Sequence, residues 1–313
     1  MGRYLPVLYF VLSAMSLRAA DVQEAPVPLA DPFILNEGGV YYAYGTFSSD
    51  GIVVLMSDDL KTWHWPEGQA GYLALDRKDS YGDKWFWAPE VYRTESGYLM
   101  YYSADEHICC AVSESPTGPF RQTAKRPMSD ERGIDNSLFI DSDGRPYIFW
   151  VRIRGCNEIW MAELEQDLRT TKEGTERFCI RMSQDWEKVW PSVNEGPFVL
   201  KHDGKYYLTY SANSYESKLY GIGYAVSDSV AGPWEKYSGN PVLCCPEGLY
   251  GVGHHAFFKK KNGTLMIVFH SHFDGDRIHP RIMHFSKVHF RKDKSGNPRL
   301  VIDEDYFTPV LPD

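Results

Sequence analysis

The sequence predicts an all-β fold, a five-bladed β-propeller. Three observations predict it. One anchor–turn–strand unit recurs five times along the chain. The recurring strands are dominated by aromatic and β-branched residues, which suit a pleated, packed surface. No long stretch has the 3.6-residue periodicity of an amphipathic helix.

In the first unit the anchor Asp31-Pro32-Phe33-Ile34 leads through Glu37-Gly38-Gly39 into the strand Val40–Tyr44. A third strand, Ile52–Met56, runs into the loop Ser57–Trp63. The second unit repeats this with Trp87-Ala88-Pro89-Glu90-Val91, Glu95-Ser96-Gly97, Tyr98–Tyr102 and Ile108–Val112, and its loop closes on Gly118-Pro119-Phe120. The third has Ile134-Asp135-Asn136-Ser137-Leu138, Asp143-Gly144, Pro146–Trp150 and Ile159–Glu163. The fourth has Glu195-Gly196-Pro197-Phe198-Val199, Asp203-Gly204, Tyr206–Tyr210 and Gly221–Val226, with a loop ending Gly232-Pro233-Trp234. The fifth has His254-His255-Ala256-Phe257-Phe258, Asn262-Gly263, Leu265–Phe269 and Ile282–Ser286. A Gly beside Asn or Asp between two apolar runs suits a hairpin turn, whose backbone requires positive φ. Units of three or four strands recurring every roughly 50–60 residues fit propeller blades better than an ordinary antiparallel sandwich.

The chain has 313 residues, and the repeat occupies nearly all of them. Residues 21–313 are therefore expected to form one domain, with no Ser/Gly/Pro linker and no appended module. Residues 1–20 have the pattern of a signal peptide: Arg3, an apolar run over Tyr4–Met15, and Ala19-Ala20. That pattern implies export to a periplasm or beyond the cell. The apolar run is too short to span a bilayer.

The formal net charge is −9, and loss of residues 1–20 removes only the basic residues Arg3 and Arg18. Such a balance argues against nucleic acid and other polyanions as partners and suits a neutral substrate. The six cysteines, Cys109, Cys110, Cys156, Cys179, Cys244 and Cys245, do not form a zinc pattern. They are expected to pack as small apolar side chains; Cys156 and Cys179 are the first pair to test for a disulfide.

Three anchors supply an acid at near-equivalent positions: Asp31, Asp135 and Glu195. A ring of similar units would bring them together at its centre, where a carboxylate cluster can do acid–base chemistry. Glu90, in the second anchor, is expected to be a structural partner.

Together these anchors resemble glycoside hydrolase family 43, the five-bladed propeller glycosidases, over about residues 30–290. The residues that carry the resemblance are Ala30-Asp31-Pro32-Phe33, Trp87-Ala88-Pro89-Glu90, Ile134-Asp135-Asn136-Ser137 with Phe139, Asp141 and Asp143-Gly144, Asn194-Glu195-Gly196-Pro197, and Gly253-His254-His255. Asn136 stands where many relatives have Pro. The resemblance implies single-displacement hydrolysis with inversion. Asp31 would be the general base, Glu195 the general acid, and Asp135 the residue that orients the acid and raises its pKa. An inverting pair stands roughly 6.5–9.5 Å apart, leaving room for a water. The resemblance also offers Phe33 and Trp87 as faces for a sugar ring, Arg281 and His255 as substrate contacts, and His254 as the residue through which some relatives hold a structural calcium ion by way of water. No cofactor is needed for the chemistry.

The function implied is an exo-acting hydrolase releasing terminal α-L-arabinofuranose, or next β-D-xylose, from plant-cell-wall glycans. Two alternatives stay open: an endo-acting arabinanase or xylanase of the same fold, and a non-catalytic sugar-binding propeller. A fructan-cleaving retaining relative is disfavoured, because Ala30-Asp31-Pro32-Phe33 and Ile134-Asp135-Asn136 depart from its motifs.

Overall fold

A computed structural model describes residues 24–294 and 296–312; the signal-peptide expectation for residues 1–20 lies outside them. After a short strand β1 (Glu24–Pro26), the first blade is β2 (Ala30–Glu37), β3 (Val40–Ser48), β4 (Gly51–Ser57) and β5 (Leu73–Asp76). The second is β6 (Trp87–Thr94), β7 (Gly97–Ala104) and β8 (His107–Ser113). The third is β9 (Gly133–Ile140), β10 (Pro146–Ile153), β11 (Asn157–Glu163) and β12 (Arg177–Ile180). The fourth is β13 (Asn194–His202), β14 (Lys205–Ala212), β15 (Gly221–Ser227) and β16 (Glu235–Lys236). The fifth is β17 (Gly253–Lys259), β18 (Leu265–Ser271), β19 (Ile282–Lys292) and β20 (Pro298–Phe307), and β21 (Val310–Pro312) pairs with β1. The five blades stand in a ring, as the repeat predicts, and each is an antiparallel sheet in which sequence neighbours pair. Helical structure among the described residues amounts to three short 3₁₀ turns.

The core lies between blades. One apolar cluster joins the fifth, first and second blades, with Trp63 stacked on Phe285 at 6.1 Å. Others join the third to the fourth, the fourth to the fifth, and the second to the third. Strands buried on both faces explain the near-continuous apolar runs in the sequence, because each blade is covered by its two neighbours.

A bulge recurs at the top of every innermost strand. Ala30 pairs with Thr46 and Phe33 with Tyr44, so Asp31 and Pro32 together oppose one residue. The same two-against-one shift occurs at 88–89, 135–136, 196–197 and 254–255. Its first residue is left-handed each time: Asp31 (φ 48°), Ala88 (47°), Asp135 (55°), Gly196 (55°) and His254 (41°). Asp tolerates this conformation better than most residues, and Gly has no penalty.

The amide of each bulge is satisfied by the blade before it. Ala88 N–H donates to Thr46 Oγ1 (3.1 Å), Asp135 N–H to Ser103 Oγ (3.1 Å), His254 N–H to Ser211 Oγ (2.8 Å) and Asp31 N–H to His270 Nδ1 (3.1 Å). These four acceptors are equivalent, each paired across its own blade with the residue before the bulge. In the third blade that position is Val151, opposite Ile134, and has no polar atom to offer. The Gly196 amide turns instead to Asp135 Oδ2, at 3.2 Å.

Candidate active site

The five bulges surround the top of the propeller axis, where a cavity of ≈ 500 Å³ is lined by Asp31, Asp135 and Glu195 together with Trp87, His254 and Arg281. Its size is that of a small-ligand site. The three acids come from three blades and converge, as the repeat requires. Asp31 and Asp135 are the bulge residues themselves. Glu195 lies one position earlier in its repeat, level with Trp87, so its side chain enters from the adjacent register position.

Asp31 is buried, and burial alone would raise its pKa. Arg281, His254, His270 and Thr46 together outweigh that, with Arg281 foremost: its Nη1 donates to Oδ1 at 2.8 Å and its Nη2 lies 3.4 Å from Oδ2. Its carboxyl is held well below the usual carboxylate range. His254 Nδ1 stands 3.4 Å from Asp31 Oδ1 and 3.9 Å from Asp135 Oδ2. Burial lowers the pKa of this imidazole, so its help to Asp31 is that of a neutral ring dipole more than of a full charge.

The other two acids are shifted the opposite way. Burial, followed by the repulsion of Glu195 and Asp31, pushes Asp135 well above its ordinary value. Glu195 is raised to about 7, first by burial and then by Asp31, against the lowering effect of the Tyr220 hydroxyl. Tyr220 donates to Glu195 Oε1 at 2.8 Å, and Asn157 Nδ2 to Oε2 at 3.3 Å. Asp135 and Glu195 line the same cavity, and the repulsion between their buried charges is part of what raises Asp135.

Trp87 lines the cavity with Phe47, and Arg281 lies over the Tyr215 ring at 4.7 Å. Phe33 and His255 do not reach it. Phe33 is buried below Asp31 with its ring 5.4 Å from Tyr92. His255 is buried and shares a 2.7 Å hydrogen bond with Thr209. Both follow the left-handed bulge residue, which resets the alternation of side chains, so they line a narrow axial space beneath the cavity. Glu90 is there too, its carboxyl pushed up to about 8 by burial and bonded to Tyr92, a structural place as expected.

Among the described residues no group of three or more His, Cys, Asp or Glu side chains is arranged to hold a metal ion. Calcium takes six to eight oxygen ligands, and His254 faces two carboxylates already engaged by Arg281 and the Gly196 amide. All six cysteines are free thiols, including Cys156 and Cys179.

Tyr220, Asn157, His270, Tyr215 and Phe47 are absent from the sequence reading. His270 and the residues level with it carried a usable signal: Thr46, Ser103, Ser211 and His270 all close a second strand at one register position.

A five-bladed propeller with three carboxylates converging on a pocket at its axis suits the hydrolysis of glycosides. The model of Glycosyl hydrolases family 43 matches residues 25–294, and the chain belongs to that family of glycoside hydrolases. It is similar to the crystal structure of an endo-1,4-β-xylanase from Bacteroides thetaiotaomicron, with 43% identity and a TM-score of 0.86 over 94% of this chain and 100% of that one. It is 25% identical to a β-D-galactofuranosidase of Aspergillus niger over 79% of this chain and 75% of that protein. It is also 25% identical to an extracellular exo-α-(1→5)-L-arabinofuranosidase of Streptomyces avermitilis, covering 90% of this chain but 63% of that protein. No helix among the described residues is long and apolar enough to cross a membrane.

Proposed function

We propose that the protein is an inverting exo-glycosidase that removes a terminal pentose, α-L-arabinofuranose first and β-D-xylose second, from plant-cell-wall glycans. The observation that supports this best is the opposed charging of two acids around one cavity: Asp31 is paired with Arg281, while burial and the Asp31 charge raise Glu195 to about 7. An inverting hydrolase needs that division of labour.

Asp31 takes a proton from a water as its oxygen attacks the anomeric carbon. Glu195 gives a proton to the departing glycosidic oxygen. Burial and the negative charge of Asp31 keep that proton on Glu195 up to about pH 7, and Asp135, which accepts from the Gly196 amide, lines the same cavity. Arg281 fixes Asp31 and, beside Tyr215, closes one wall of the pocket. Trp87 and Phe47 offer apolar faces to the sugar ring. No step uses a metal; a calcium ion held by His254 through water would have a structural part only. The signal-like residues 1–20 and the extracellular relative in Streptomyces support export.

One observation favours the endo-acting alternative. Trp85 is 40% exposed and stacks on Trp87 at 5.6 Å, which extends the aromatic surface beyond the pocket to where a second sugar could rest. The endo-xylanase similarity points the same way.

Side-by-side kinetics on aryl α-L-arabinofuranoside and aryl β-D-xylopyranoside test the proposal. Turnover of either, with monomer as the sole early product from linear arabinan or xylan, is the expected result. Oligosaccharides as first products, without aryl glycoside turnover, would replace it with the endo reading.

A further inference from the structure

The connection from the fourth blade to the fifth contains a thiol pair that the glycosidase chemistry does not use. Cys244 and Cys245 are adjacent in sequence and half-buried, and their Sγ atoms are 3.4 Å apart. The other adjacent pair, Cys109 and Cys110, lies on β8, where successive side chains point to opposite faces. Cys245 instead has φ of 51°, and this left-handed turn folds its side chain back beside Cys244.

The pair sits against the segment that supports Glu195. Cys244 packs on the backbone of Gly221, next to Tyr220. The Cys245 thiol donates to the Lys218 carbonyl at 3.2 Å, an oxygen that also accepts from Gly251 N–H. Between Tyr215, which lines the pocket, and Tyr220, which bonds Glu195, the chain makes two successive tight turns, closed by Ser217 N–H to Ser214 O and Tyr220 N–H to Ser217 O.

We propose that Cys244 and Cys245 form a dithiol modification site, closed to a vicinal disulfide by an external small-molecule disulfide, and that its closure reports to Glu195 through the Tyr215–Tyr220 segment. Cys245 loses its proton and attacks one sulfur of the external disulfide; that S–S bond breaks, and the departing thiolate takes up a proton. Cys244, deprotonated in turn, attacks Cys245 Sγ and displaces the second external thiol. Two protein thiols lose two electrons and two protons, and the external disulfide becomes two thiols. Closure removes the hydrogen bond from Cys245 to Lys218 and loosens the turn that presents Tyr220. Since the Tyr220 hydroxyl holds the Glu195 pKa down, loosening it raises that pKa.

The probe is oxidised glutathione applied to the intact protein, followed by alkylation and tryptic mapping. The peptide from Tyr237 to Lys259 contains both thiols and no other cysteine. It should lose two hydrogens without joining another peptide, while the remaining four cysteines still alkylate after denaturation. Cys244→Ser should stop the reaction at a single glutathione adduct on Cys245. A peptide that stays reduced, carries two adducts, or links to a distant cysteine overturns the site. This mapping does not depend on the glycosidase reading. The link to Glu195 does rest on it: the alkaline limb of activity should move upward in the oxidised protein and return on reduction. An unmoved limb in a protein whose ring has closed overturns the link alone.

Discussion

Asp31 and Glu195 are buried in one cavity, yet their charges are set in opposite directions. Arg281 with His254, His270 and Thr46 overcomes the burial of Asp31, whereas for Glu195 burial and the Asp31 charge prevail over Tyr220, Arg281 and Asn157 and leave it at about 7. The reaction needs Asp31 ionised and Glu195 protonated. Raising pH through about 7 strips the acid, so kcat/KM should fall there. Lowering pH protonates Asp31 only well below the ordinary carboxylate range, so the acidic side of the profile should stay flat through that range. An alkaline limb in the Lys or Tyr range instead would show that a different group donates. Glu195→Ala should lose at least about a hundredfold on natural glycosides, the usual contribution of a general acid. On aryl glycosides with good leaving groups, which need little protonation, the loss should be much smaller; equal losses on both would remove Glu195 from the role. At this scale the acids were legible, because each repeats an anchor. Phe33 and His255 were expected at the cavity and lie beneath it, because the bulge that turns them away is a matter of strand register rather than of their own residue type.

The recurring element behind the site is the bulge and the side chain that caps its amide from the preceding blade. Val151 is the exception that ties the Gly196 amide to Asp135. Val151→Thr supplies a hydroxyl at the position of Thr46, Ser103 and Ser211 with nearly the same shape. It should take the Gly196 amide and leave Asp135 without the hydrogen bond that lowers its pKa. An ordinary hydrogen bond contributes about 0.5–1.5 kcal/mol, so kcat/KM should fall by about two- to tenfold with little change in Tm. Unchanged kinetics would mean that the Gly196 amide does not tune Asp135. The strands and their order could be read from turns and apolar runs. The caps required knowing the register, which depends on pairing across blades rather than on any local pattern.

Across the whole molecule, the ring closes between blades built from opposite ends of the chain. Asp31 and Arg281 meet across that seam, as do Trp63 and Phe285. The seam is fastened by β1 with β21, and by Val310, which accepts from Trp63 N–H at 2.9 Å and donates to Lys61 O at 2.8 Å. Every blade takes its strands from one stretch of sequence, so no strand is shared across the closure. The repeat foretold a closed ring but not its fastening, since the pairing of Glu24–Pro26 with Val310–Pro312 has no counterpart elsewhere in the repeat. A chain ending at Thr308 should melt several degrees lower and, with the Arg281 clamp loosened, should show its acidic limb moved upward. A lower Tm with an unmoved acidic limb would mean that the clamp stands independently of the closure.

The proposal as a whole turns on a single displacement by water activated at Asp31. Proton NMR of the sugar released in the first moments of hydrolysis, before mutarotation, reads this directly. Inverted anomeric configuration is the predicted result; a retained anomer would mean that a covalent glycosyl intermediate forms, and would contradict the assignment of Asp31 as a base.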